Sequence, residues 1–177
     1  MAEKSAIRAR LRPGPGMIAS AAMRIAIAAV GKWKAGPERA LFEEYKKRLR
    51  WPVTLTEVEE RRPLPAAQLK AREAELLLDA IPGKSPAPLL VALDERGKTF
   101  SSEALAKQIS SWQQRGDGSV AFVIGGADGL DDGIRNRAGL LLSLGAMTWP
   151  HLLVRVMLIE QLYRAQQILA GHPYHRP

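Results

Sequence analysis

The sequence has 177 residues, of which 46% are hydrophobic and 25% are charged, as in an ordinary globular protein rather than a disordered or fibrous one. Because it contains no cysteine, disulfides, thiolate metal sites and a cysteine nucleophile are excluded. The three histidines have no carboxylate at metal-ligand spacing, so no metal site is expected. The formal net charge of +8 suits an anionic partner such as RNA, although a soluble protein with a basic surface is about as common.

The chain begins with a segment that shows neither a helical nor a strand period. Residues 1–22 contain the breaker cluster "RPGPG", and Met17 and Met23 could both be initiators. We interpret this segment as a disordered extension or a misassigned start, and residues 23–177 as a single domain. No apolar stretch directly follows the basic residues at the start, and the most apolar stretch, residues 152–169, contains three charged side chains. We therefore expect a cytoplasmic protein without a membrane span.

From residue 23 onward, strand patterns alternate with helical ones. The first half of the chain predicts, in order, a strand at 24–30, a helix at 37–50, a strand at 52–59 and a helix at 65–81. The second half predicts a strand at 88–93, a helix at 101–115, a strand at 119–124, a short helix, a strand at 139–144 and a helix at 150–170. Ser101 is the expected N-cap of the third helix, and Asp131 or Asp132 that of the short one.

This alternation predicts the fold class. Strands that alternate with helices form an α/β fold, in which a parallel sheet carries helices on both faces. In such folds, ligands bind beyond the carboxyl ends of the strands. Two polar or glycine-rich segments, "LDERGK" and "GGADGLDDG", follow predicted strands at this edge.

Neither segment matches a nucleotide-binding motif. "ALDERGKT", residues 92–99, has Ala92 where the phosphate-binding loop needs glycine, and its Asp94 and Glu95 would repel phosphate. In "VIGGADGLDDG", the spacing of Gly125 and Gly126 is not that of a dinucleotide fingerprint. The pattern alone leaves a tight structural turn and a cofactor loop equally open at this position.

The C-terminal third holds the most unusual residues. Arg155 lies in the apolar run "LLVRVMLI", where a charge needs an anionic partner. Two of the three histidines, His172 and His175, lie in the terminal "GHPYHRP" beside Tyr174 and Arg176. Chain ends are usually chemically plain, so these residues raise the possibility of a functional tail.

Five stretches together resemble a known family. "IAAVGK", "LDERGK", "FVIGGADGL", "LSLGAMTWPHLLVRVMLIEQLYRAQQIL" and "HPYHR" occur in the order found in RlmH-type enzymes of the SPOUT class. The resemblance covers residues 23–177. It implies a C-terminal trefoil knot, a homodimer with the site at the subunit interface, and methylation by S-adenosylmethionine. The implied substrate is N3 of a pseudouridine, in the 23S rRNA stem-loop that faces the small subunit, on the assembled 70S ribosome.

The resemblance also implies site residues. The cofactor would be bound by residues of three loops, namely Leu93, Gly125, Leu144, Gly145, Ala146, Met147, Thr148 and Trp149. At two of these positions the chain departs from many members, which have serine at 145 and a smaller apolar residue or Phe at 149. His175, Tyr174 and Arg155 are the candidate catalytic residues, and His151 and Arg176 are expected to contact the RNA.

The chemistry leaves several assignments open. Histidine has a pKa suited to accepting the N3 proton, so His175 is the expected acceptor, although positioning alone could suffice with solvent taking the proton. On the helix at 37–50, Lys46, Lys47, Arg48 and Arg50 are candidates for phosphate contact or a solvated helix face.

Two other functions remain: a SPOUT enzyme acting on another rRNA or tRNA base, and a non-enzymatic ribosome-binding factor.

Overall fold

Five parallel strands form one sheet in the computed structural model, which describes residues 23–83 and 87–174. The strands are β1 (Arg24–Val30), β2 (Val53–Val58), β3 (Leu89–Thr99), β4 (Ser119–Ile124) and β5 (Leu140–Ser143). Their order across the sheet is β2-β1-β4-β3-β5, and every pairing is parallel. The predicted α/β class with a parallel sheet is therefore confirmed, whereas the trefoil knot stays a prediction.

The first four helices connect successive strands, and the fifth follows the last strand. They are α1 (Pro37–Arg48), α2 (Ala66–Asp79), α3 (Ser102–Gln114), α4 (Asp132–Arg137) and α5 (His151–Leu169). Every predicted element is present, with ends that differ by at most two residues apart from β3. Both predicted caps form: the Ser101 hydroxyl accepts from the N–H of Ala104 at 3.1 Å, and the Asp131 carboxylate accepts from the N–H of Gly133 at 2.7 Å.

Two hydrophobic layers enclose the sheet. Successive side chains of a strand point to opposite faces of the sheet. In β1, Ile25 and Ile27 therefore pack in one layer, while Ala28 and Val30 pack in the other. The first layer contains buried residues of α1, α3 and α5, and the second contains those of α2 and α4. After their first residues, the central strands β1 and β4 are apolar throughout because both of their faces are covered.

Strand β3 is longer than predicted. The polar "LDERGK" segment was expected to be a loop, but the strand resumes after it, and both Leu93 and Lys98 lie opposite Leu142 of β5. A Cβ on Gly97 would lie 2.6 Å from the backbone carbon of Leu141, so only glycine permits this close approach. The intervening residues form a bulge that points charged side chains toward the carboxyl edge of the sheet.

The described residues contain no helix that is both long and apolar enough to cross a membrane.

Candidate active site at the carboxyl edge of the sheet

A cavity of about 620 Å³ opens beyond the carboxyl ends of β3, β4 and β5. Its walls come from three segments: residues 93–96 after the core of β3, residues 124–130 after β4, and residues 142–151 before and at the start of α5. Leu93, Ile124 and Leu142 provide apolar walls, while the loops provide backbone polar groups. Small-molecule sites have volumes of roughly 300–1,000 Å³ with this mixture of surfaces. The cavity is therefore a candidate ligand site, in the position that parallel sheets favour.

Most of the predicted cofactor-binding residues line this cavity. Seven of the eight do so: Leu93, Gly125, Leu144, Gly145, Met147, Thr148 and Trp149. The eighth, Ala146, is exposed and does not line it, although both of its neighbours do. The structure thus brings together three segments that are spread over almost 60 residues of the sequence.

Two glycines allow the loops to take their shape. A Cβ on Gly125 would lie 2.9 Å from the backbone carbon of Gly129, so the β4 loop folds back on itself only without a side chain there. Gly145 has a φ of +114°, in the region that favours glycine. The Ser143 hydroxyl bridges Gly145, accepting from its N–H at 3.2 Å and donating to its carbonyl at 3.1 Å.

An ion pair joins the cavity segment at residues 93–96 to helix α4. Arg135 of α4 donates from Nε to the Asp94 carboxylate at 2.6 Å, and their side chains are 12% and 5% exposed. Burial alone would raise the pKa of Asp94, but hydrogen bonds from Arg135 and from the N–H of Arg96 outweigh it and lower that pKa. The carboxylate is therefore ionised at neutral pH and fixes the β3 bulge against α4.

His151, at the start of α5, lines the cavity beside the end of β1. A Cβ on Gly31 would lie 3.1 Å from His151 Nε2 and 3.6 Å from a terminal nitrogen of Arg155. Burial and the positive charge of Arg155 both lower the pKa of His151. A neutral imidazole, which can accept a proton, thus faces the cavity at neutral pH.

We expect His151 to titrate below its ordinary pKa of 6.5. Because the unfolded chain then binds a proton more readily than the folded one, the free energy of unfolding falls as pH drops from about 6.5 through the folded pKa. NMR titration of labelled histidine, assigned with the His151→Asn variant, measures the midpoint. A midpoint at or above 6.5 would contradict the described environment.

Arg155 is buried behind His151, with 0% exposure. Its guanidinium donates to the Glu57 carboxylate at 2.8 Å and to the carbonyls of Val30 and Gly31 at 2.5 and 2.7 Å. It also lies 4.8 Å from the ring centre of Trp33, and the backbone N–H of Trp33 donates to the same Glu57 oxygen at 2.7 Å. The predicted need for an anionic partner is confirmed by Glu57. The guanidinium itself does not line the cavity, so within one chain it can act only through its neighbours.

Trp149 offers an unsatisfied donor at the cavity. Its indole Nε1 is buried without a hydrogen-bond partner among the described residues. Buried donors are usually paired, so this N–H is suited to an acceptor atom of a bound molecule. Apolar walls, backbone groups of glycine loops and a free donor fit a cofactor such as S-adenosylmethionine, which combines an adenine ring with polar ends.

Tyr174, the last described residue of the chain, lies away from the cavity within one chain. The Tyr174 hydroxyl is 3.2 Å from a carboxylate oxygen of Glu160 and 3.5 Å from the Tyr45 hydroxyl. Glu160 is nine residues along α5 from His151, which corresponds to about 13 Å along the helix axis. Burial, then the contacts with Tyr45 and Glu160, raise the pKa of Tyr174, so its phenol stays protonated. The other tail candidates, His175 and Arg176, lie outside the described residues.

Three positioning residues were not identified from the sequence. Asp94 was considered only as a repellent of phosphate, and Glu57 and Arg135 were not considered. Asp94 directly follows the predicted third strand and Arg135 lies in the short helix after the β4 loop, which is a weak signal of proximity at the carboxyl edge. Glu57 lies 98 residues from its partner Arg155, and nothing in the sequence indicates that pairing.

Comparisons with known proteins identify the family. The family model described as "Predicted SPOUT methyltransferase" matches residues 23–175. The "Ribosomal RNA large subunit methyltransferase H" of Rhodospirillum centenum is 58% identical over 154 residues, which is 87% of this chain and 99% of that protein. Its namesake in Paramagnetospirillum magneticum is 58% identical over 155 residues, 88% of this chain and 100% of that protein. The solved structure of a probable methylase family protein from Haemophilus influenzae has a similar fold, with a TM-score of 0.54 at 12% identity, over 88% of this chain and 71% of that one.

Proposed function

The chain belongs to the SPOUT methyltransferase family, whose members use S-adenosylmethionine, and we propose that it methylates N3 of a pseudouridine in 23S ribosomal RNA. The target is the stem-loop that faces the small subunit, on the assembled 70S ribosome in the cytoplasm. The observation that supports this most is the cavity, where the loops after three adjacent strands converge on a site suited to the cofactor. The name shared by the two relatives, which are 58% identical to this chain, supports a large-subunit rRNA substrate. The resemblance to RlmH-type enzymes supplies the base and the atom.

Within this proposal, the cavity residues bind and orient the methyl donor. S-adenosylmethionine, when bound, supplies an electrophilic methyl group on a sulfonium centre. The backbone of the glycine loops and the Trp149 N–H would hold it, and the apolar walls Leu93, Ile124 and Leu142 would exclude water. Asp94 and Arg135 would act as positioning residues by fixing the loops.

The remaining requirement is removal of the N3 proton as the base gains its methyl group. His175 of the tail stays the proposed acceptor, and His151 provides a neutral imidazole already at the cavity. Tyr174, held protonated, is suited to donate a hydrogen bond to a uracil carbonyl or to stack on a base. We assign Arg155 a positioning role, since it is buried and holds the end of β1 next to His151.

We also propose a homodimer with the site at the subunit interface. A groove between α1 and α5, lined by Leu41, Tyr45, Val156 and Met157, offers an apolar surface, and Leu41 is 47% exposed. A second copy seated on this groove would bring its own α5 and tail close to the first. The distance between Tyr174 and the cavity in one chain supports such an arrangement, because the tail then serves the partner's cavity.

Methyl transfer to ribosomes tests the proposed function. Labelled S-adenosylmethionine is incubated with the protein and 70S ribosomes lacking the modification, and the label is located by nuclease digestion. Label at N3 of the stem-loop pseudouridine is the expected result. Label at another rRNA base or only in tRNA would favour a different SPOUT substrate, and cofactor binding without any transfer would favour a ribosome-binding factor.

A complementation experiment tests whether each site combines the cavity of one subunit with the tail of the other. Deleting residues 174–177 leaves the cavity intact, while Gly125→Val damages the cavity and leaves the tail intact. Each variant alone is expected to lose methylation, but a refolded one-to-one mixture should regain about a quarter of the wild-type rate, since half of the dimers are mixed and each has one complete site. A mixture as inactive as its components would contradict a tail that acts on the partner's cavity. Wild-type activity of the deletion variant would show that the tail is not part of the site.

A further inference from the structure

The loop between β1 and α1 carries two lysines at the edge of the cavity. Its sequence, "GKWKAG", spans residues 31–36, and it starts at Gly31, which lies against His151. Gly31 has a φ of +90°, so the chain turns sharply as it leaves β1. The loop therefore begins next to a residue that lines the cavity.

Trp33 fixes the middle of this loop. It is 7% exposed, and its ring centre lies 5.1 Å from that of Phe42 and 4.8 Å from the Arg155 guanidinium carbon. Its backbone N–H is held by Glu57 at 2.7 Å. A loop anchored by a buried tryptophan and a buried ion pair keeps its shape, which lowers the entropic cost of using its exposed residues for binding.

The residues on either side of Trp33 are Lys32 and Lys34, and both are exposed. Within residues 23–83 and 87–174, neither lysine forms an ion pair or a side-chain hydrogen bond. The Glu57 carboxylate that holds the loop anchor is already occupied by Arg155, and the Glu38 carboxylate, which lies against Gly36 at the end of the loop, forms an ion pair with neither lysine. The loop thus presents two uncompensated positive charges.

Two members of the basic group at the end of α1 are paired, unlike the loop lysines. Arg48 is paired with Glu44 at 2.6 Å, and Lys46 lies 4.0 Å from Glu43. That group is also one helix length from the carboxyl edge of the sheet, because α1 runs back from it. The loop lysines are therefore better placed to contact RNA beside the cavity.

We propose that Lys32 and Lys34 bind phosphates of the RNA backbone next to the nucleotide that enters the cavity. This assignment rests on the proposed function, since it requires an RNA substrate. Lysines that neutralise phosphates release counterions, so they contribute a salt-dependent part of the affinity without reading sequence. Their role would be to place the substrate at the cavity mouth, while the loops of β3, β4 and β5 hold the methyl donor.

The test compares Lys32→Gln/Lys34→Gln with wild type in methylation of 70S ribosomes. We expect KM for ribosomes to rise by about tenfold, kcat to change less than about twofold, and the slope of log(kcat/KM) against log salt to fall by about 1–2. Cofactor affinity and thermal stability should not change. Lys32→Arg/Lys34→Arg should retain most of the wild-type KM, because the charges are kept.

The matched control is Arg24→Gln/Lys107→Gln, which removes the same charge from two exposed residues, one at the amino end of β1 and one on α3. It should leave KM and the salt slope close to wild type. The inference is overturned if the loop variant keeps the wild-type KM and slope, or if the control variant loses as much. Failure of the wild-type protein to methylate or bind ribosomal RNA would instead contradict the proposed function itself, and this inference with it.

Discussion

Replacing Arg155 with methionine is expected to lower the free energy of unfolding by about 3 kcal/mol, because it leaves the partly buried Glu57 carboxylate without its cation. The carbonyls of Val30 and Gly31 lose their donors as well. Methionine fills a similar space, so the loss reflects charge and hydrogen bonding rather than a cavity. Urea unfolding gives the change in midpoint and slope.

The control for this prediction is Arg164→Met on the same helix. Arg164 pairs with Glu160 at 2.5 Å, but its side chain is 29% exposed, so its loss is expected to cost no more than about 1 kcal/mol. Arg155→Lys should fall between the two, since a single ammonium cannot reproduce the planar set of donors. Equal losses for Arg155→Met and Arg164→Met would show that the buried network does not stabilise the fold as described.

Gly125→Val is expected to weaken S-adenosylmethionine binding by about 100-fold or more, which corresponds to roughly 2.7 kcal/mol. The first side-chain carbon would lie 2.9 Å from the backbone carbon of Gly129 and 3.0 Å from its carbonyl oxygen. Backbone cannot yield as a flexible side chain does, so the β4 loop must move and the cavity changes shape. Isothermal titration calorimetry measures the affinity, and methylation should fall with it.

Gly118→Val is the matched control for this change. A Cβ on Gly118 would come no closer than 3.9 Å to another atom, and the residue is exposed before β4. Its cofactor affinity is expected to match that of wild type. If both variants bind the cofactor as wild type does, the glycine loop is not part of the cofactor site.

The sequence predicts the order and type of the elements well, because the helical and strand periods of its apolar residues are clear from residue 23 onward. The main error concerns β3: the polar "LDERGK" segment gives no sign that the strand resumes after a bulge. That outcome depends on Gly97 approaching the backbone of Leu141, a contact between segments more than 40 residues apart. Pattern rules describe local preference, whereas this contact is tertiary.

The site was predicted unevenly for the same reason. Residues of the three loops were identified because the resemblance carried them over, and seven of eight line one cavity. Arg155 was identified by its apolar surroundings, but its partners come from the ends of β1 and β2. Tyr174 illustrates the opposite case, since one chain places it along α5, and it would reach a cavity through the proposed second copy.

The most direct test of the central claim is mass spectrometry of the 23S stem-loop from cells that lack this protein. The account predicts that the N3 methyl group on the pseudouridine is absent, returns with the wild-type gene, and stays absent with Gly125→Val produced at the same level. A stem-loop that remains fully methylated without the protein, or that Gly125→Val restores as well as wild type does, would contradict it.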